Sequence, residues 1–184
     1  MPMNFRPPRP DDESVLCRMH AELEAEGFTF LLAEGTWDEM LEQLRREAAG
    51  TDLPPGRVRA DFLVAEVDGV PVGRVSIRYS LTDFLREVGG HVGYAVAPEH
   101  RRRGYATEML RHSVARLAEA GVKQILVTCD DDNVGSAAVI EACGGVLQDI
   151  RSAEGTPPRR RYWIDARQTD TSTQTSRWSL LGNG

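Results

Sequence analysis

The run from 91 to 110, HVGYAVAPEHRRRGYATEML, constrains this chain more than any other, because a strand pattern gives way within it to a basic, glycine-marked helix start. Val92, Tyr94 and Val96 alternate with His91, Gly93 and Ala95 at the period of a strand, and Pro98, which lacks an amide donor, ends the pairing. A helix opens a few residues later. Ala106, Met109, Leu110, Val114 and Leu117 recur at steps of three and four, with Glu108, Arg111, His112 and Arg116 on the other side, so one face is core. The first turn of a helix leaves amide donors free and carries the positive end of the macrodipole, which makes Arg103, Gly104, Tyr105, Ala106 and Thr107 an anion seat. Gly104 lets a ligand approach the backbone, and Arg101, Arg102 and Arg103 add fixed charge suited to a polyphosphate. On spacing alone, a solvated basic helix entry without a ligand explains the same residues.

The rest of the chain is read outward from this run. A short strand over 3–6 precedes helix caps at Asp11, Asp12 and Ser14, and Val15, Leu16, Met19 and Leu23 form the stripe of a first helix that Gly27 stops. Thr36 caps a second, with Trp37, Met40, Leu41 and Leu44 inward. Between them Phe28 and Phe30 are core plugs or a pocket wall, and core is the favoured reading. Residues 62–67 and 70–79 are β-rich runs joined by Asp68-Gly69, a strong hairpin signal. After the central helix, residues 124–129 read as a buried strand, so strand, helix and strand imply a parallel crossover. A short helix over 135–143 and a closing hairpin, 146–150 with 161–164, complete a mixed α+β domain over 1–165. The polar tail, 166–184, is expected to be mobile.

A length of 184 residues suits one domain, and a net charge of −6 disfavours nonspecific nucleic-acid binding despite two arginine runs. Cys17, Cys129 and Cys143 lack C-x-x-C spacing, so neither a disulfide framework nor a metal site is expected, and the cytoplasm is the simple location. No apolar run approaches the ~18 residues of a membrane span.

Arg101-x-x-Gly104-x-Ala106 fits the Q/R-x-x-G-x-G/A acyl-CoA signature, and its setting between a strand ended by proline and a long helix resembles the GNAT family of N-acetyltransferases. The resemblance covers about 62–164, and the run LVTCDDDNVGSAAVIEACGGVL followed by RRYWI looks like a branch of bacterial acetyltransferases with unassigned substrates. It implies a mostly antiparallel sheet, with one parallel pair splayed at the acyl-CoA site and about four flanking helices. It implies acetyl-CoA as acyl donor, with the pyrophosphate on the amides of Arg101 to Thr107. The pantetheine arm would lie along Tyr94, Ala95 and Val96. Asn133 and Ser136 match positions that contact the arm, and they equally fit as helix caps. The acceptor would be an amine, and homodimers are common among relatives.

Some expected catalytic groups are missing. Where many members have a tyrosine acid this chain has Ile140; where many have phenylalanine it has Gly145; and the glutamate base of some members aligns near Gly90. His91 and Tyr94 are the nearest replacements as proton acceptor and donor, with structural roles as the alternative. Cys129 and Cys143 read as inert buried thiols. Glu22, Glu26, Asp83 and Glu87 would favour a cationic amine if they converge on the acceptor side. A non-catalytic acyl-CoA-binding module is the main rival, and a protein docking an acidic partner through its arginine runs is a second.

Overall fold

A computed structural model describes residues 2–32, 35–152 and 157–169. In chain order its elements are β1 (Asn4–Arg6), α1 (Glu13–Glu24), α2 (Trp37–Ala49), β2 (Ala60–Val67), β3 (Val70–Arg78), β4 (Val92–Val96), α3 (Tyr105–Glu119), β5 (Gln124–Asp130), α4 (Val134–Ala142), β6 (Val146–Arg151) and β7 (Arg159–Asp165). Short 3-10 turns and a π turn, Leu85–Gly89, join them. The local signals in the sequence explain several boundaries. The Thr36 hydroxyl accepts the Glu39 amide while the Glu39 carboxylate takes the Thr36 amide at 2.8 Å, a reciprocal cap that starts α2. Asp68 and Gly69 both take positive φ, the pair of left-handed residues that a tight two-residue hairpin between β2 and β3 requires.

The seven strands form one sheet in the order β1-β2-β3-β4-β5-β7-β6. Every neighbouring pair is antiparallel except β4 and β5, which follows from the crossover through α3. Side chains alternate between two cores. One face carries Val75, Ile77, Val92 and Ile125 under α3 and α4; the other carries Phe62, Val64, Ala95 and Ala97 under α1 and α2.

Arg74 enters the second core as a cation. It is 2% exposed, donates to the carbonyls of Phe30, Thr29 and Gly93, and lies over the rings of Phe28, Phe30 and Phe62. Burial, with Arg78 nearby, pulls its pKa down to about 9, which leaves it charged at neutral pH. Phe30 is a core plug as expected, whereas Phe28 is 36% exposed over the arginine.

The described chain runs four residues past Asp165, through a short 3-10 turn, Ala166–Thr169. Ala166 is buried and its amide donates to the Lys123 carbonyl, so the chain continues along the body of the protein. The expectation of mobility beyond residue 169 falls outside the described residues. No helix among them is long and apolar enough to cross a membrane.

Candidate active site

β4 and β5 pair at a single position, Val92 with Val127, whereas β4 pairs with β3 along its whole length from Val92 to Val96. The two parallel strands therefore part beyond Val92. One wall of the resulting wedge is the backbone of residues 93–96, with no strand partner on the β5 side. The wedge leads to the entry of α3. There Arg102 and Gly104 hold left-handed backbone, φ +60° and +82°, and the intervening turn directs successive amides to one side. The amides of residues 102–107 have no acceptor among the described residues, the first intrahelical bond being Glu108 to the Gly104 carbonyl. A carbon added at Gly104 would meet nothing within 4 Å, so the space above these donors is open. Donors, helix dipole and open space together fit a phosphate group.

Arg101 is used differently from its neighbours. Its amide donates to Pro98, its Nε to the Val96 carbonyl, and its other nitrogens grip Glu26 just beyond α1 at 2.5 and 3.2 Å. The run of amides without an acceptor among the described residues thus begins at Arg102. Arg101 braces it, and Glu26 is committed to that brace.

Tyr94 reaches from β4 to α4, its hydroxyl 2.8 Å from the Ser136 hydroxyl. Burial holds its pKa well above the usual phenol range, so it is a neutral proton donor at pH 7. Asn133 caps α4 by accepting the Ser136 amide at 2.9 Å, which leaves the Ser136 side chain to Tyr94.

His91 does not carry the proton-accepting role expected of it. It is 5% exposed, and its Nδ1 accepts the Leu126 amide at 2.9 Å, which puts the ring proton on Nε2 and makes that atom a donor. Burial, then Arg86 and Arg78, push its pKa down to about 4. The thiols are also inert: burial raises Cys129 to about 11 and shifts Cys143 the same way.

On the α1/α2 face, a cavity of about 460 Å³ lies between the segment after α1, α2, β3 and the π turn. Its floor includes Ser76, which pairs with Gly93 beside the wedge. None of Glu22, Glu26, Asp83 and Glu87 lines it. Glu87 instead grips Arg151 with both oxygens at 2.7 Å, on the β6–β7 side. Glu26 and Glu87 are thus each committed to an arginine, on different sides of the molecule. The charged groups at the cavity are Glu47, Arg57 and Arg78, none of which was singled out in the sequence. Glu47 in an amphipathic helix, Arg57 in the loop before β2 and Arg78 at the end of β3 look like ordinary surface charge.

The family model of the acetyltransferase (GNAT) domain matches residues 3–146. The chain belongs to the GNAT acetyltransferase family. An uncharacterized N-acetyltransferase of Bacillus subtilis, YjdG, is 32% identical over 74 residues, which span 40% of each chain. Among solved structures, Mycobacterium smegmatis RimJ in complex with CoA-disulfide has a TM-score of 0.69 at 20% identity, covering 95% of this chain and 90% of that one. A Vibrio cholerae spermidine N-acetyltransferase in complex with CoA and spermine has a TM-score of 0.66 at 15% identity, covering 91% of this chain and 97% of that one. At such identities these likenesses concern the fold.

The GNAT fold also accounts for the residues that stand where catalytic groups were looked for. Gly90 has φ +62°, and a Cβ there would lie 2.7 Å from the Leu126 carbonyl, so β5 leaves no room for a glutamate. A Cβ at Gly145 would strike Ile140, itself fully buried, at 2.4 Å. These positions serve packing.

Proposed function

We propose that this GNAT protein transfers the acetyl group of acetyl-CoA to a primary amine of a small molecule or peptide. The run of acceptor-less amides at residues 102–107, at the open end of the β4–β5 wedge, carries this reading. Those amides would hold the pyrophosphate, with Arg102 and Arg103 exposed beside it and Tyr105, Ala106 and Thr107 forming the first turn of α3. The backbone of Tyr94, Ala95 and Val96 would take the pantetheine arm as an added strand, with Asn133 and Ser136 on the far side. Acetyl-CoA, when bound, supplies the thioester carbon that the amine attacks.

The chain's own residues then have three tasks. Fixing the amine near that carbon is the largest. An amine with the pKa of lysine, about 10.4, costs about 4–5 kcal/mol to deprotonate at pH 7, so a proton acceptor is needed. Water in the cavity, or Glu47 on its wall, serves where His91 does not. Tyr94, held neutral beside Ser136, donates a proton to the departing thiolate. The three free cysteines fit a reducing cytoplasm.

Acetyl-CoA should raise the melting temperature, and thiol should be released when amines are added. Stabilisation without thiol release over a broad amine panel would favour the non-catalytic binding module instead.

A further inference from the structure

Among the described residues, the cavity on the α1/α2 face is lined by two cations and one carboxylate. Glu47 and Arg57 are paired loosely, with Arg57 Nη1 3.7 Å from Glu47 Oε1, and the same carboxylate oxygen accepts from Gln43 at 3.1 Å. Arg78 has no such partner. Its Nη1 donates to the carbonyls of Gly89 and Gly90 at 3.2 and 3.3 Å, which fixes the plane of the guanidinium against the strand leading into β4. Nε and Nη2 donate to no acceptor among the described residues, and no carboxylate forms an ion pair with the group. Burial lowers its pKa, Arg57 lowers it further, and Glu47 offsets only part of this.

Nε and Nη2 of an arginine form a side-on fork with the spacing of the two oxygens of a carboxylate. Here the fork is already held in place by its other end, so little side-chain entropy is lost when it closes. Position 78 lies beside His91, about 7 Å along the strand from Gly93. We infer that the acceptor is a small amine bearing a carboxylate, which Arg78 binds through this fork while the amine points toward the β4–β5 wedge. This rests on the transferase reading for its amine, and reverses the cationic acceptor expected from the acidic residues of the sequence.

The test uses matched pairs. β-Alanine, 4-aminobutyrate, 6-aminohexanoate and several L-amino acids are compared with the amines that lack their carboxylate, by acetyl-CoA-dependent thiol release and by thermal stabilisation with acetyl-CoA present. Carboxylated members should be preferred. Arg78→Met should raise their KM about ten- to a hundredfold more than that of the decarboxylated amines. Arg78→Lys, which keeps the charge without the fork, should fall between. Should a variant at the half-buried Arg78 not fold, Arg57→Glu, at an exposed position, should weaken the same preference by reversing the field. Equal use and equal stabilisation of the two sets by the wild-type protein, or a carboxylate preference untouched by these variants, would overturn the inference. A protein that ignores acetyl-CoA but is still stabilised selectively by the carboxylated set would sink the transferase reading and leave the anion site standing.

Discussion

A side chain at Gly104 would meet open space, so a substitution there disturbs no packing and costs only the strain of its left-handed backbone. Gly104→Glu places bulk and negative charge over the donors of residues 102–107, and it should abolish the rise in Tm caused by acetyl-CoA; an unchanged response would remove the pyrophosphate from this loop. Tyr94→Phe keeps the ring and loses the hydroxyl on Ser136. It should lower kcat about ten- to a hundredfold with a KM for acetyl-CoA within about threefold, because proton donation matters only as the thiolate leaves. His91 makes a different kind of prediction. Its folded pKa of about 4 lies below the unfolded value, about 6.5, so the stability it contributes is full above pH 6.5 and is lost as pH falls toward 4. His91→Asn, whose amide oxygen can still accept from Leu126, should flatten that part of the Tm–pH curve. His112, shifted downward as well, leaves a residual slope on the same side.

Among the elements, the hairpin, the crossover and the caps were legible in the sequence because each rests on local chemistry: Asp68-Gly69, the apolar stripe of α3, Thr36 with Glu39. The glycine-marked entry of α3 at Gly104 was legible for the same reason. What escaped was the partner chosen by each long polar side chain. Glu26 and Glu87 look like free carboxylates until the fold brings Arg101 and Arg151 to them, and Arg78 looks like a surface cation until β4 is laid beside it. Gly90 also gains its meaning only from β5. Gly90→Ala should cost about 2–4 kcal/mol, or roughly 5–15 °C in Tm, through its left-handed backbone and the nearby Leu126 carbonyl. A loss below 1 kcal/mol would show that β5 can withdraw and that the position is open to catalytic side chains.

On the scale of the whole molecule, the sheet separates a face that fits the acyl donor from a face that holds the cavity, and α1 touches the business of both. Glu26, just beyond α1, grips Arg101, which holds the Val96 carbonyl at the end of β4; the segment after Glu26 supplies Thr29, Leu31 and Leu32 to the cavity wall. This tie is a surface ion pair, its side chains 42% and 46% exposed, so its strength is about 1 kcal/mol or less. It nonetheless ties the end of β4 to the segment that lines the cavity. Whatever factor the occupied donor site adds to acceptor affinity through it, the occupied cavity returns to the donor, and that factor is bounded at about fivefold. On the proposed reading, the Glu26–Arg101 pair would be a weak clutch between the donor and acceptor sites, slipping long before either ligand is held by it.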